Sequence, residues 1–146
     1  MRTKILFLLA FLSVAGAASA QLSPETMAKR ERRKNLVVKE WNTDPATKTR
    51  RLDRMTIYDD QGRKIEEVEY ATYGQKSRST FEYYPGGKIK QEVEYDDKNK
   101  PVRIRKYEYN DDGTKKMQYN YLPNGKLHVT KNFEYIFEDA PAGESD

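Results

Sequence analysis

A tyrosine followed four residues later by glycine or asparagine recurs six times in this chain. The pairs are Tyr58/Gly62, Tyr70/Gly74, Tyr83/Gly87, Tyr95/Asn99, Tyr109/Gly113 and Tyr121/Gly125. Successive tyrosines of the series lie 12, 13, 12, 14 and 12 residues apart. Glutamate precedes four of them (Glu69, Glu82, Glu94, Glu108), and a large apolar or aromatic residue often lies two before (Val68, Phe81, Val93, Tyr107, Tyr119). Phe133-Glu134-Tyr135 is a decayed last copy. A unit this short cannot bury a face alone and must pack on its copies, so repetition sets the architecture.

Within a unit the period is two. Ile89, Gln91, Val93 and Tyr95 alternate with Lys88, Lys90, Glu92 and Glu94, which is the pattern of a half-buried strand. Gln91 and Val93 are expected on the packed side with Tyr95, and Glu92 and Glu94 in water. Leu127, Val129, Phe133, Tyr135 and Phe137 share one parity in the last long strand, and Met117, Tyr119 and Tyr121 in the one before. The alternation slips between Val102/Ile104 and Tyr107/Tyr109, and again between Ile65 and Val68. Either a bulge lies between Arg105 and Lys106, or that strand presents different faces at its two ends.

The connections carry turn chemistry. Leu122-Pro123-Asn124-Gly125, Asn110-Asp111-Asp112-Gly113 and Asp59-Asp60-Gln61-Gly62 each suit a type I turn closed by a left-handed residue, and Asn99 tolerates that region best after glycine. Further strands are expected over Leu36–Trp41 and Arg54–Tyr58, joined by a loop over Asn42–Thr49. The fold class is therefore all-β: an antiparallel meander of about eight strands built from 12–14-residue hairpin repeats, with a short N-terminal helix.

That helix follows from Ser23-Pro24-Glu25, which supplies an N-cap, a proline at the first helical position and an acid in the first turn. It carries Lys29-Arg30-Glu31-Arg32-Arg33-Lys34 but, apart from Met27, little that is apolar. The segment 21–35 reads as a basic helix or extension, either an electrostatic arm for an anionic surface or, more simply, a solvated, partly disordered lead-in. Before it, Arg2 and Lys4, the apolar run Ile5–Val14 and Ala18-Ser19-Ala20 have the order of a secretory signal, with cleavage expected after Ala20. The β-repeat domain is expected over 36–137 and a disordered tail over 138–146. The mature chain would hold 25 Lys and Arg against 23 Asp and Glu, too even a balance to call for nucleic acid. It has no cysteine, so no disulfide can brace it in an exported setting, and no transmembrane segment is expected once the signal is removed.

Tyr58-Asp59-Asp60-Gln61-Gly62-Arg63 resembles the tyrosine–aspartate repeat of the Rhs/YD family. Tyr121-Leu122-Pro123-Asn124-Gly125-Lys126-Leu127 is similar to the hairpin of MORN-variant repeats, found in exported and some antitoxin-labelled bacterial proteins. The resemblance covers residues 54–137 or so. It implies strand–turn repetition and identifies no catalytic residue. Asp follows the tyrosine only at Asp59 and Asp96, and the array is too short for the closed shell of long YD arrays.

Little else in the sequence points to chemistry. His128 is the one histidine, with parity opposite to Leu127 and Val129, and a zinc site needs three or four ligands. Asp59-Asp60, Asp96-Asp97 and Asp111-Asp112 sit where turns want aspartate, without the spacing of a calcium loop. Glu69, Glu82, Glu94, Glu108 and Glu134 repeat too regularly to form a catalytic pair of unlike environments, and cross-strand bases such as Arg103 and Arg105 account for them. The eleven tyrosines are the feature suited to binding. Tyr83, Tyr95, Tyr107, Tyr109, Tyr119 and Tyr121 form the candidate binding face, where flat rings would stack on sugars or grip a peptide; alternatively they build a thin core. No cofactor or metal is expected. The functional expectation is an exported, periplasmic or secreted, non-enzymatic protein with a structural or binding role. The alternatives are carbohydrate or cell-wall binding through a tyrosine-rich face, and an antitoxin- or immunity-like protein-binding module. An envelope protein or a glycan is the expected kind of partner.

Overall fold

The computed structural model describes residues 22–136. The signal expected over 1–20 and the tail expected over 138–146 lie outside the described residues. One helix, α1 (Pro24–Glu31), precedes eight strands: β1 (Val37–Thr43), β2 (Arg50–Tyr58), β3 (Lys64–Ala71), β4 (Gly74–Tyr83), β5 (Ile89–Tyr95), β6 (Pro101–Tyr109), β7 (Lys115–Tyr121) and β8 (Leu127–Asn132). They form a single antiparallel sheet in sequence order, β1 to β8, which is the meander expected from the repeat.

The turns work as their sequences require. Gly62, Gly87, Asn99, Gly113 and Gly125 all have positive φ, between 59° and 86°. In the first of these turns the Gly62 N–H donates to the Asp59 carbonyl, and the Asp59 carboxylate accepts from the N–H groups of Gln61 and Arg63. Asp96, Asp112 and Asn124 likewise hold the backbone of their own turns. The Tyr70 unit departs from this frame. Ala71 pairs directly with Gly74, leaving a two-residue loop of Thr72 and Tyr73, because no Asp, Asn or Pro is present to nucleate the longer turn.

Every strand pairing contains one register shift. The skipped residues are Asp53, Ile65, Lys76, Lys90, Val102, Lys116 and His128. The bulge of β6 is at Val102, next to the turn, and not between Arg105 and Lys106; from Arg103 on the register is unbroken, so Ile104 and Tyr107 take opposite faces and the strand presents different faces at its two ends. The bulge at His128 also breaks the parity expected of the last strand. Leu127 pairs with Tyr121 and Val129 with Asn120, so these two apolar residues take opposite faces.

Following the register across the sheet defines two faces. One, the front, carries Met55, Val68, Thr80, Val93, Ile104, Lys106 and Tyr119. The other, the back, carries Thr56, Glu67, Phe81, Glu92, Arg105 and Tyr107. Neither is dry. Among the described residues only Val68, Tyr107 and Thr56 have buried side chains, and they sit on both faces. The expected division, with Gln91, Val93 and Tyr95 packed and Glu92 and Glu94 in water, does not hold: all five are half-buried. A single layer has no second sheet to cover one side, so long polar and aromatic side chains shield both faces by lying along them.

Helix α1 starts as its sequence requires, with Ser23 Oγ accepting from the Thr26 N–H at 3.2 Å. It is docked rather than a loose extension. Its last turn sits on two hairpin glycines at the back of the sheet. A Cβ built on Gly62 would lie 2.0 Å from the Arg30 carbonyl oxygen, so glycine is needed there for space as well as for φ. The Arg30 guanidinium reaches the Gly87 carbonyl at 3.4 Å. The helix buries no residue, so polar contacts at close range take the place of an apolar stripe.

Candidate binding surfaces

The six candidate tyrosines do not share a face. Tyr83, Tyr107 and Tyr109 follow the parity of the back, and Tyr95, Tyr119 and Tyr121 that of the front. Hairpins alternate between the two ends of the strands, so the tyrosines that close them alternate too. Tyr58, Tyr83, Tyr109 and Tyr135 lie at one end, 25 or 26 residues apart, and Tyr70, Tyr95 and Tyr121 at the other.

Tyrosines at one end of the strands are held by their hydroxyls. The Tyr83 hydroxyl donates to the Lys64 carbonyl (2.6 Å), that of Tyr109 to Ile89 (2.9 Å) and that of Tyr135 to Lys115 (2.9 Å). In each case the ring clips the start of the preceding strand. Tyr107, 6% exposed, instead donates to Glu92 Oε2 at 2.9 Å, while Arg105 Nη1 donates to Oε1 of the same carboxylate at 3.0 Å. Burial, and then the hydrogen bond to the Glu92 carboxylate, push the Tyr107 phenol up to about 12. Burial also raises Tyr83 and Tyr109.

Five of the six rings carry a cation. Arg63 lies over Tyr83 (5.1 Å to the centroid), Arg78 over Tyr95 (4.2 Å), Lys115 over Tyr107 (4.8 Å), Lys88 over Tyr109 (5.7 Å) and Lys106 over Tyr121 (5.2 Å). Such contacts contribute about 0.5–1 kcal/mol each at exposed sites. They also occupy a ring surface on which a sugar would stack. The rings and their bases together make a structural lattice and leave no continuous aromatic platform.

The glutamates divide in the same way. Glu69 and Glu94 lie on the back, the first paired with Arg54 at 3.3 Å and the second with Arg103 at 3.1 Å. Glu82 and Glu108 lie on the front. Asp59 and Asp96 are held toward the ionised form. Backbone N–H bonds lower Asp96, and at Asp59 burial is outweighed by the Arg63 backbone and guanidinium. Among the described residues no group of three or more His, Cys, Asp or Glu is placed to hold a metal ion. His128 lines a shallow cavity with Asn120 and Lys131. Asn120 pairs with Val129, so His128 shares that residue's face; the bulge turns it from the side that strict alternation assigns.

Several exposed apolar residues gather at the β8 end. All six residues of β8 are exposed, and Val102, Leu122, Leu127, Val129, Phe133 and Ile136 are large exposed hydrophobics on it or beside it. Among the described residues β8, like β1 at the other edge, has a strand neighbour on one side only. No described helix is long and apolar enough to cross a membrane.

No family model matches this chain. No curated protein matches it either. Solved structures give partial likenesses. One is a complex of accessory secretory proteins 1, 2 and 3 in Streptococcus pneumoniae, at 21% identity and a TM-score of 0.34, covering 66% of this chain and 17% of that one. Another is a mutant of TarM from S. aureus in complex with fondaparinux, α-GlcNAc-glycerol and UDP, at 21% identity and a TM-score of 0.34, covering 70% and 22%. The chain therefore spans about a fifth of the length of these structures.

Proposed function

We propose that the protein is an exported, non-enzymatic binding protein that engages another polypeptide at the β8 end of its sheet. The observation that carries this reading is the edge of β8, which no strand pairs among the described residues, beside exposed Val129, Phe133 and Ile136. An unpaired strand presents a row of backbone donors and acceptors, and an apolar rim supplies surface to desolvate. The antitoxin- or immunity-like alternative is a form of the same reading. Sugar stacking on the tyrosines has less support, because the rings divide between two faces and five of six already carry cations. Export rests on the order of charged, apolar and small residues over 1–20. The non-enzymatic part rests on a sequence with one histidine, no cysteine and no catalytic constellation.

The test is a photo-crosslinking residue placed in producing cells at Val129 or Thr130, with Lys98, in a turn at the same end of the strands as the β7–β8 turn, as control. A discrete protein adduct from the β8 positions and none from Lys98 is expected. Adducts from Lys98 alone, or none from β8, would refute the proposal.

A further inference from the structure

We infer that the cleft between α1 and the back of the sheet binds a small phosphoryl dianion. It is a site separate from the β8 edge and does not depend on it. The cleft holds about 440 Å³, within the size range of small-molecule pockets. Its charged lining is Lys29, Arg30 and Arg33 from the helix segment and Arg63, Lys64 and Glu67 from β3 and the turn before it. That is five bases against one acid.

The pairing of these groups leaves a surplus on one side. Arg63 is neutralised by Asp59 at 2.8 Å and Lys64 by Glu67 at 3.2 Å. Among the described residues Lys29, Arg30 and Arg33 form no ion pair. Yet the two guanidinium groups are placed: that of Arg33 lies 5.1 Å from the centre of the Tyr58 ring, and that of Arg30 reaches the Gly87 carbonyl. Both are half-buried, so their charges are partly removed from water. Stacking and a carbonyl orient the forks without cancelling their charge, which suits recognition of phosphate oxygens. Thr56, 6% exposed, lies at the floor. The helix is held so close to Gly62 that the walls are fixed before any ligand arrives. The concave shape and limited volume favour a single phosphoryl group over a polymer or a membrane surface, and past the cleft the back-face bases Arg103 and Arg105 are paired with Glu94 and Glu92.

The test is calorimetric titration of the whole exported chain at low ionic strength with inorganic phosphate, glycerol phosphate and, separately, vesicles containing phosphatidic acid. One-to-one binding of phosphate or its monoester is expected, weakened about tenfold or more by Arg33→Gln, the loss of one charge-assisted contact. Lys29→Gln, which removes an exposed cleft cation, should weaken it too without disturbing the ring stack. Lys34→Gln, whose ammonium pairs with Glu31 outside the cleft, should leave affinity unchanged. Tighter binding of the monoester than of free phosphate would assign the natural source to a phosphorylated molecule, and equal binding to phosphate itself. Three results would overturn the inference. They are no heat from either small anion, equal losses in all three variants, and vesicle binding that free phosphate does not compete away.

Discussion

Gly62→Ala should be markedly more damaging than Gly125→Ala, although the two glycines have similar backbones. Their φ values are +69° and +82°, and an L residue in this region costs about 1–2 kcal/mol. At Gly125 that is the whole effect, since an added Cβ meets nothing within 4 Å. At Gly62 the same Cβ would lie 2.0 Å from the Arg30 carbonyl oxygen, 2.6 Å from its carbon and 2.8 Å from Cα. Those are backbone atoms, so no side chain can swing aside. The turn is fixed by the Asp59 hydrogen bonds, so the helix must give way, losing the Arg33–Tyr58 stack and the Arg30–Gly87 contact. We expect an added loss of roughly 2–4 kcal/mol, the sum of one cation–π contact and one hydrogen bond to a charged group. The alanine's effect on the unfolded chain is common to both variants and cancels in the comparison. Urea unfolding measures the difference, and limited trypsin digestion locates it: Gly62→Ala should speed cleavage after Lys29 to Lys34, and Gly125→Ala should not. Equal midpoints and equal cleavage would show that the helix is not seated on Gly62.

Three further outcomes follow from the same structure. Tyr107→Phe should destabilise by about 1.5–3 kcal/mol, the range for a hydrogen bond to a charged group, whereas Tyr95→Phe should change little, as read by paired urea titrations. The raised Tyr107 phenol keeps its proton in the folded state while the unfolded chain ionises near 10, so stability is intact below pH 10 and falls as pH rises through about 12; a Tyr107→Phe variant should lose that part of the alkaline slope. Val93→Ala should cost about 1–2 kcal/mol, less than in a dry core, and Glu94→Ala under about 1 kcal/mol, because its partner Arg103 is half exposed; a larger loss at Glu94 in side-by-side melts would refute this ranking. Mass spectrometry of the native protein should find a chain starting at Gln21, and an intact Met1 form alone would sink the expectation of processing.

The meander was readable from sequence because its turns are local devices. A glycine or asparagine at Gly62, Asn99 or Gly125, with an Asp or Asn side chain to bind the backbone, needs no tertiary information. Faces were not readable in the same way. A bulged residue such as Val102 or His128 looks like any other in the alternation, and each one inverts the side chains beyond it. The single-faced core expected around Gln91 and Val93 failed because nothing in a strand's own sequence says whether a second layer exists. The cleft was missed although its signal was present: Lys29 and Arg30 in the last helical turn and Arg33 just past it cluster within five residues, and Arg63 and Lys64 directly follow a repeat glycine.

The alternation of Tyr58, Tyr83, Tyr109 and Tyr135 with Tyr70, Tyr95 and Tyr121 makes the inheritable quantum of this protein two strands rather than one. Adding a single unit would reverse the direction of everything after it, carry the chain to the opposite rim and set the clipping tyrosines beside the wrong carbonyls. Adding an out-and-back pair, such as a second copy of residues 84–109, restores direction, rim and clip together. The sheet is thus a ruler that can be lengthened only by whole round trips, and copies of this architecture with different sizes should differ by even numbers of strands.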